Sequence, residues 1–187
     1  MNNKNKIYFD EKFLKKEKKI FTKKYWFLIG HKCEFEKSYD FKTVEIFGKP
    51  IVIYKFDKGL KAFSNVCLHR GSIIKEKKFG NERFFCPYHL WSYDENGNIK
   101  NIPLKTKCFN NIKNISKLSL QKWKIEMCGE FIFVSNSENK VNLKNFLDKD
   151  FNKLKNISHK IKKKVSSSDW VWNSNWKLCV ENSVDEY

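Results

Sequence analysis

The apolar positions change rhythm along the chain. Over residues 1–24, Ile7, Phe9, Phe13, Leu14, Ile20 and Phe21 are set among lysines, which predicts a short helix and an entry segment. Tyr25-Trp26-Phe27-Leu28-Ile29-Gly30 is an unbroken apolar run ending on glycine, the mark of a buried strand. From residue 39 to 65, short β-branched and aromatic runs are separated by turn residues. Residues 43–47 and 51–56 read as strands around a Gly48-Lys49-Pro50 turn, and Asp57-Lys58-Gly59 leads into a strand at 60–63. Asp94-Glu95-Asn96-Gly97 is a further hairpin turn, closed by residues 99–102 and Pro103, and strands at 120–126 and 131–134 flank Gly129. Short strands with regular turns predict a mostly β fold, a small antiparallel sandwich or barrel.

Beyond residue 140 the period lengthens. Leu143, Phe146, Leu147, Phe151, Leu154, Ile157 and Ile161 recur at three- and four-residue steps, which predicts one amphipathic helix over 141–164, with His159 off its apolar stripe and exposed. A helix packed on its own protein is the commoner use of such a pattern than a membrane-surface or calmodulin-target helix. Ser166-Ser167-Ser168 marks a connection. Residues 169–187 read as a strand, a turn and the first turns of a helix, with the tryptophans in the core.

Four residues carry the chemistry. Cys67-Leu68-His69 and Cys86-Pro87-Tyr88-His89 form a Cys-x-His and a Cys-x-x-His pair, sixteen residues apart. Two thiolates and two imidazoles in mixed pairs suit a [2Fe–2S] cluster in which one iron takes both cysteines and the other both histidines. Each half is short enough for one tight loop; Pro87 fixes the backbone after Cys86, and Gly71 permits a turn closed to other residues. Zinc accepts the same ligand types, but common structural zinc sites pair cysteine with cysteine and histidine with histidine along the chain. His31-x-Cys33 has no second half nearby and reads as structural.

The two motifs, with Arg70-Gly71 after the first and Trp91-x-Tyr93 after the second, resemble the Rieske domain of ring-hydroxylating oxygenase large subunits. One departure is Leu90, where that family usually has glycine. The Rieske proteins of cytochrome bc complexes carry two further cysteines that bridge the loops; Ser72 and Tyr88 stand there, so no such bridge is expected. With Trp91 in place of a supporting serine, a potential below about 0 mV is expected. Asn175-Trp176-Lys177 and Glu181-Asn182-x-x-Asp185-x-Tyr187 resemble the opening of the same family's α+β catalytic domain. There the motif runs on into two histidines which, with a later carboxylate, hold a mononuclear iron(II). The sequence ends one residue short of the first of them, as a fragment or a truncated product would, so that iron is expected only in a full-length chain. His31 and His159, the remaining histidines, lie on unrelated segments and make no triad. The resemblance gives Asp185 a catalytic role, bridging a Rieske histidine of one subunit and an iron-bound histidine of its neighbour, and implies a trimer of complete subunits.

Composition narrows the class. A chain of 187 residues can bury one good core. The net charge of +17 would ordinarily raise nucleic acid as a partner, but lysine and asparagine are spread along the whole length and arginines are few, so neither nucleic acid nor membrane is expected. No signal core or membrane span is visible at the start. Cys33, Cys108, Cys128 and Cys179 are scattered and read as unpaired, buried apolar residues, in keeping with a reducing cytoplasm.

These readings divide the chain into an entry segment (1–24), a Rieske domain (25–138), a helix and connection (139–168) and the start of a catalytic domain (169–187). The implied function is the electron-transfer part of an oxygenase, fed by a ferredoxin or flavin reductase. The rivals are a freestanding Rieske ferredoxin, which gives no reason for the motif at 176–187, and a zinc-stabilised binding module.

Overall fold

The computed structural model describes residues 6–109, 114–136, 138–166 and 171–185. Two helices, α1 (Lys6–Phe9) and α2 (Glu11–Lys24), lead in, and the Asp10 carboxylate accepts from the Lys12 N–H at 2.8 Å to cap α2. Nine strands follow: β1 (Phe27–His31), β2 (Asp40–Ile46), β3 (Lys49–Phe56), β4 (Gly59–Ser64), β5 (Phe79–Asn81), β6 (Ser92–Tyr93), β7 (Ile99–Asn101), β8 (Lys122–Cys128) and β9 (Phe131–Asn136). A short helix α3 (Lys105–Cys108) lies between β7 and β8, and α4 (Leu143–Leu147), α5 (Phe151–Ser158) and α6 (Trp176–Val184) close the chain. Seven strands form one antiparallel sheet in the order β1-β9-β8-β4-β3-β2-β5, curled as a half-barrel, and β6-β7 is a separate hairpin.

The central strand shows why the chain curls. In β3, Val52, Tyr54 and Phe56 pack into one cluster with Phe41, Phe63, Phe84 and Tyr93, while Ile51 and Ile53 pack on the opposite face with Ile29, Ile46, Trp123 and Val134. Alternate side chains point to opposite faces, so an unbroken apolar run needs cover on both. Burial of each such side chain contributes about 2 kcal/mol. The first cluster also contains Cys67, Cys86 and Trp91, so the core holds the bases of both ligand loops.

Several expectations change. Lys49 and Pro50 belong to β3, so the turn sits at Phe47-Gly48; Pro50 lacks an N–H to donate but stands at the start of the strand, and its carbonyl still accepts from Asn65 N–H. β5 was not signalled, being three residues without alternation. The helix over 141–164 is broken. Asp148 takes φ 47°, a 3₁₀ turn spans Asp148–Asp150, and α5 ends at Ser158. The bend lets Phe146, Leu147, Phe151 and Leu154 all reach Trp26, Cys128 and Phe133, whereas Ile157 and Ile161 stay exposed. His159 is exposed as expected. Val171 and Trp172 form no strand and are exposed, Trp172 by 63%; Trp170 and most of the serine connection lie outside the described residues. Of the four other cysteines, Cys128 is buried, Cys33 and Cys179 are half-buried and Cys108 is exposed; all are free. Among the described residues no helix is long and apolar enough to cross a membrane.

Candidate metal centre

The two ligand loops are built on one template. In each, the residue before the cysteine pairs with the residue six after it, Val66 with Ile73 and Phe85 with Ser92. The cysteine N–H donates to the carbonyl five residues on (Cys67 to Ser72, 2.8 Å; Cys86 to Trp91, 2.9 Å). Its carbonyl accepts from the N–H four residues on, Gly71 and Leu90, both at 3.0 Å. That fourth residue is left-handed in both, Gly71 at φ 74° and Leu90 at φ 59°. The first loop's stem is locked by buried Asn65, whose side-chain amide exchanges two hydrogen bonds with the Lys75 backbone at 2.8 and 2.9 Å. Lys75 is itself buried, its Nζ 2.7 Å from Glu82 and over the Phe85 ring.

The loops bring the four predicted residues together with a clear polarity. Cys67 and Cys86 are buried, at 4% and 1% exposure, while the imidazoles stand at the rim with their Nδ1 atoms 3.1 Å apart. With a metal bound and the proton of each ring on Nε2, both rings would turn an Nδ1 lone pair into the same space, the arrangement two histidines need to share one iron. The His69 ring lies on Trp91, 4.9 Å away and 11° from parallel, with Phe109 edge-on to both. Tyr88 and Leu90 flank His89 and are exposed. Tyr93 completes the inner end: its buried hydroxyl donates to Cys67 Sγ at 3.2 Å and accepts from Leu68 N–H. The sequence showed Tyr93 as part of a motif but not this contact, which depends on where β6 is placed.

The local electrostatics fit a cluster. Burial pushes the Cys86 thiol up; the Tyr88 N–H pulls the other way, and the nearby Cys67 sulfur adds to the rise. Such a pair becomes thiolate when a cation neutralises it. Burial, then the neighbouring His89 and Arg70, hold His69 below its ordinary value, which favours the neutral form a ligand needs. Among the described residues no group of three or more His, Cys, Asp or Glu is placed to hold a single metal ion. A two-iron cluster of this type asks for two side chains on each iron, which the buried sulfur pair and the imidazole pair at the rim can supply.

Residues 25–140 match the Rieske [2Fe-2S] domain family. The chain belongs to this family. It is 27% identical over 187 residues to the 2-aminobenzenesulfonate 2,3-dioxygenase subunit alpha of Alcaligenes sp, covering 98% of this chain and 48% of that protein. It is 29% identical over 182 residues to a benzene 1,2-dioxygenase subunit alpha of Pseudomonas putida, covering 94% and 40%. Among solved structures, the quaternary ammonium Rieske monooxygenase CntA in complex with an inhibitor superposes with TM-score 0.83 at 26% identity, over 95% of this chain and 50% of that one. Naphthalene 1,2-dioxygenase from Rhodococcus sp. shares the fold, at TM-score 0.83 and 23% identity, over 95% and 42%. The chain thus spans about half the length of these relatives, and over that length it is similar to the Rieske-bearing part of oxygenase alpha subunits. A Rieske domain implies a [2Fe–2S] cluster. Because the relatives match almost to the last residue, a freestanding ferredoxin is not favoured.

Outside the Rieske loops, Asp185 is exposed just beyond α6, its N–H bonded to the Glu181 carbonyl. Among the described residues, no hydrogen bond or ion pair joins it to His69 or His89. His31 and His159 are not as unrelated as their positions imply, for both approach Glu130, at 3.6 and 4.0 Å. Yet His31 has no free lone pair. Its Nδ1 accepts from Cys33 N–H and its Nε2 donates to the Ser158 carbonyl, so it ties β1 to the end of α5.

Proposed function

We propose that Cys67 and Cys86 hold the inner iron of the Rieske cluster and that His69 and His89 hold the outer one. On this reading the chain takes electrons from a ferredoxin or flavin reductase and delivers them to a mononuclear iron(II) site in a complete oxygenase. The observation that carries it is the polarity of the centre: buried sulfurs on the core side, paired Nδ1 atoms at the exposed rim. The cluster, when bound, supplies one-electron redox chemistry. The protein's part is to hold and shield it. Trp91 and Phe109 fix the plane of His69, Tyr93 donates a hydrogen bond to a ligand sulfur, and the aromatic core keeps water from the cysteines. Asp185 belongs to the same proposal as the bridge to a neighbouring copy, and its exposure leaves it free to reach one. A trimer of complete subunits in a reducing cytoplasm fits, with every cysteine free. The relatives are named as dioxygenases and monooxygenases, so on this reading the electrons serve the oxygenation of an organic substrate.

The test is reduction of the iron-loaded chain by a reductase–ferredoxin pair, followed in the visible spectrum. Stoichiometric reduction, lost in His69→Ala and His89→Ala, is expected; a loaded chain that no such donor reduces contradicts the proposal. In a complete subunit carrying this sequence as its front half, Asp185→Asn should spare the spectrum and slow turnover. Unchanged turnover removes the bridging role.

A further inference from the structure

We propose that the N-terminal helical arm is a bracket for the C-terminal helix, and that Glu17 is the positioning residue that sets where Asp185 stands relative to the Rieske centre. The inference rests on the reading of Asp185 as an electron bridge, but the bracket itself is testable without it.

Among the described residues, the hydrogen bonds and ion pairs that tie 171–185 to the rest of the chain all end on Tyr8 or Glu17. Glu17 Oε2 takes two donors from adjacent residues of α6, Lys177 Nζ at 2.7 Å and Trp176 Nε1 at 3.3 Å. Both ends of the ion pair are largely buried, at 16% and 12% exposure. The Tyr8 carbonyl accepts from the side-chain amide of Asn175, the residue that caps α6, and the Tyr8 hydroxyl donates to Glu181 at 2.8 Å. The arm therefore grips α6 at its first turn and again at Glu181, whose carbonyl accepts the Asp185 N–H. The arm is seated in turn on the sheet: Phe21 stacks on Phe47 and meets Tyr25 and Trp176 edge-on, and Asn139 donates to the Lys24 carbonyl.

Apolar packing alone would not hold α6 in register. Leu178, Val180 and Val184 are exposed, and no residue of the helix is buried. Hydrophobic contact is non-directional, so a slip by one turn would keep some contact on Phe21 yet move Asp185 by about 5.4 Å. Two donors converging on one carboxylate oxygen fix both rotation and slide. Register control is the best-attested use of a buried ion pair.

The test compares wild type, Glu17→Gln, Glu17→Lys, Lys177→Glu and the double swap in the cluster-loaded chain, by amide hydrogen exchange and redox titration. Each single change should raise exchange in α6 by about tenfold or more, leave the visible spectrum and midpoint potential unchanged, and spare exchange in β3. The swap restores the pair's charge and should recover most of the protection, a rescue that general loosening of the arm would not give. Wild-type protection of α6 in Glu17→Gln, or a swap no better than its parents, overturns the proposal. Asp185→Asn should leave α6 protection unchanged whether or not Asp185 bridges, so failure of the bracket and failure of the bridge are read separately.

Discussion

The two ligand loops have the same backbone and different chemistry. Both close the same two hydrogen bonds around a left-handed fourth residue, yet the histidine is two residues after the cysteine in one and three after it in the other. The first loop has glycine at the left-handed position and a stem locked by Asn65 and Lys75. The second puts Leu90 there, exposed by 55%, and keeps the shape because three backbone bonds hold it: Cys86 N–H to the Trp91 carbonyl, Leu90 N–H to the Cys86 carbonyl and Tyr93 N–H to the Phe84 carbonyl. A site can keep its geometry with a poor residue at a demanding backbone position when the flanking bonds over-determine it. The departure at Leu90 therefore changes the local energy of the loop rather than its course.

The comparison can be broken most sharply at a ligand. His69→Cys makes the outer iron more like that of an all-cysteine cluster, so the midpoint potential should fall by a few hundred mV or the cluster should be lost; an unchanged redox titration refutes the assignment of that loop. Next comes the stem. Glu82→Gln leaves the Lys75 ammonium buried without a counter-charge and should cost about 2 kcal/mol in urea unfolding, less than for a fully buried pair because Glu82 is partly exposed. The same residue sets an acid limb. Lys75, then Lys77, hold the Glu82 carboxyl below its ordinary 4.5. A depressed folded value gives stability that is present above pH 4.5 and lost as pH falls through that lower value. Glu82→Gln should flatten that limb, and an identical acid profile in the variant would deny the linkage.

Exchanging the left-handed residues tests the loops against each other. A Cβ on Gly71 would meet nothing within 4 Å, so the cost of Gly71→Leu should be mainly backbone strain, about 1–2 kcal/mol. Leu90→Gly should stabilise the loaded protein by about 0.5–1 kcal/mol, the strain relief exceeding the chain entropy of glycine. Thermal unfolding that shows no loss in Gly71→Leu, or no gain in Leu90→Gly, would deny that the left-handed residue carries strain in that loop. The smallest effect is at Tyr93. Removing its hydroxyl in Tyr93→Phe deletes a hydrogen bond of about 1 kcal/mol to a ligand sulfur, which for one electron is about 40 mV of lowered potential. A rise, or no change, would remove Tyr93 from the tuning of the centre.

The sheet was legible because period-two alternation and turn residues survive in the sequence, and β3 was readable although buried on both faces. The four candidate ligands stood out because their spacing has few other uses, and the fold brings the two loops that carry them together. What escaped depends on conformations or neighbours that composition does not encode. Nothing in the apolar stripe at 143–161 marks the φ reversal at Asp148. Val171 and Trp172 look like strand residues, but no described strand pairs with them. Cys108 sits on the exposed side of α3 despite its apolar type. The twin geometry of the loops was hidden because leucine occupies a position that glycine usually signals.

The most direct test of the central claim is the low-temperature EPR spectrum of the dithionite-reduced, anaerobically purified chain, with iron and sulfide assayed on the same sample. A rhombic signal of low average g, with two irons and two sulfides per chain, is the predicted result. An EPR-silent sample containing zinc would contradict it and make Cys67, His69, Cys86 and His89 a structural site.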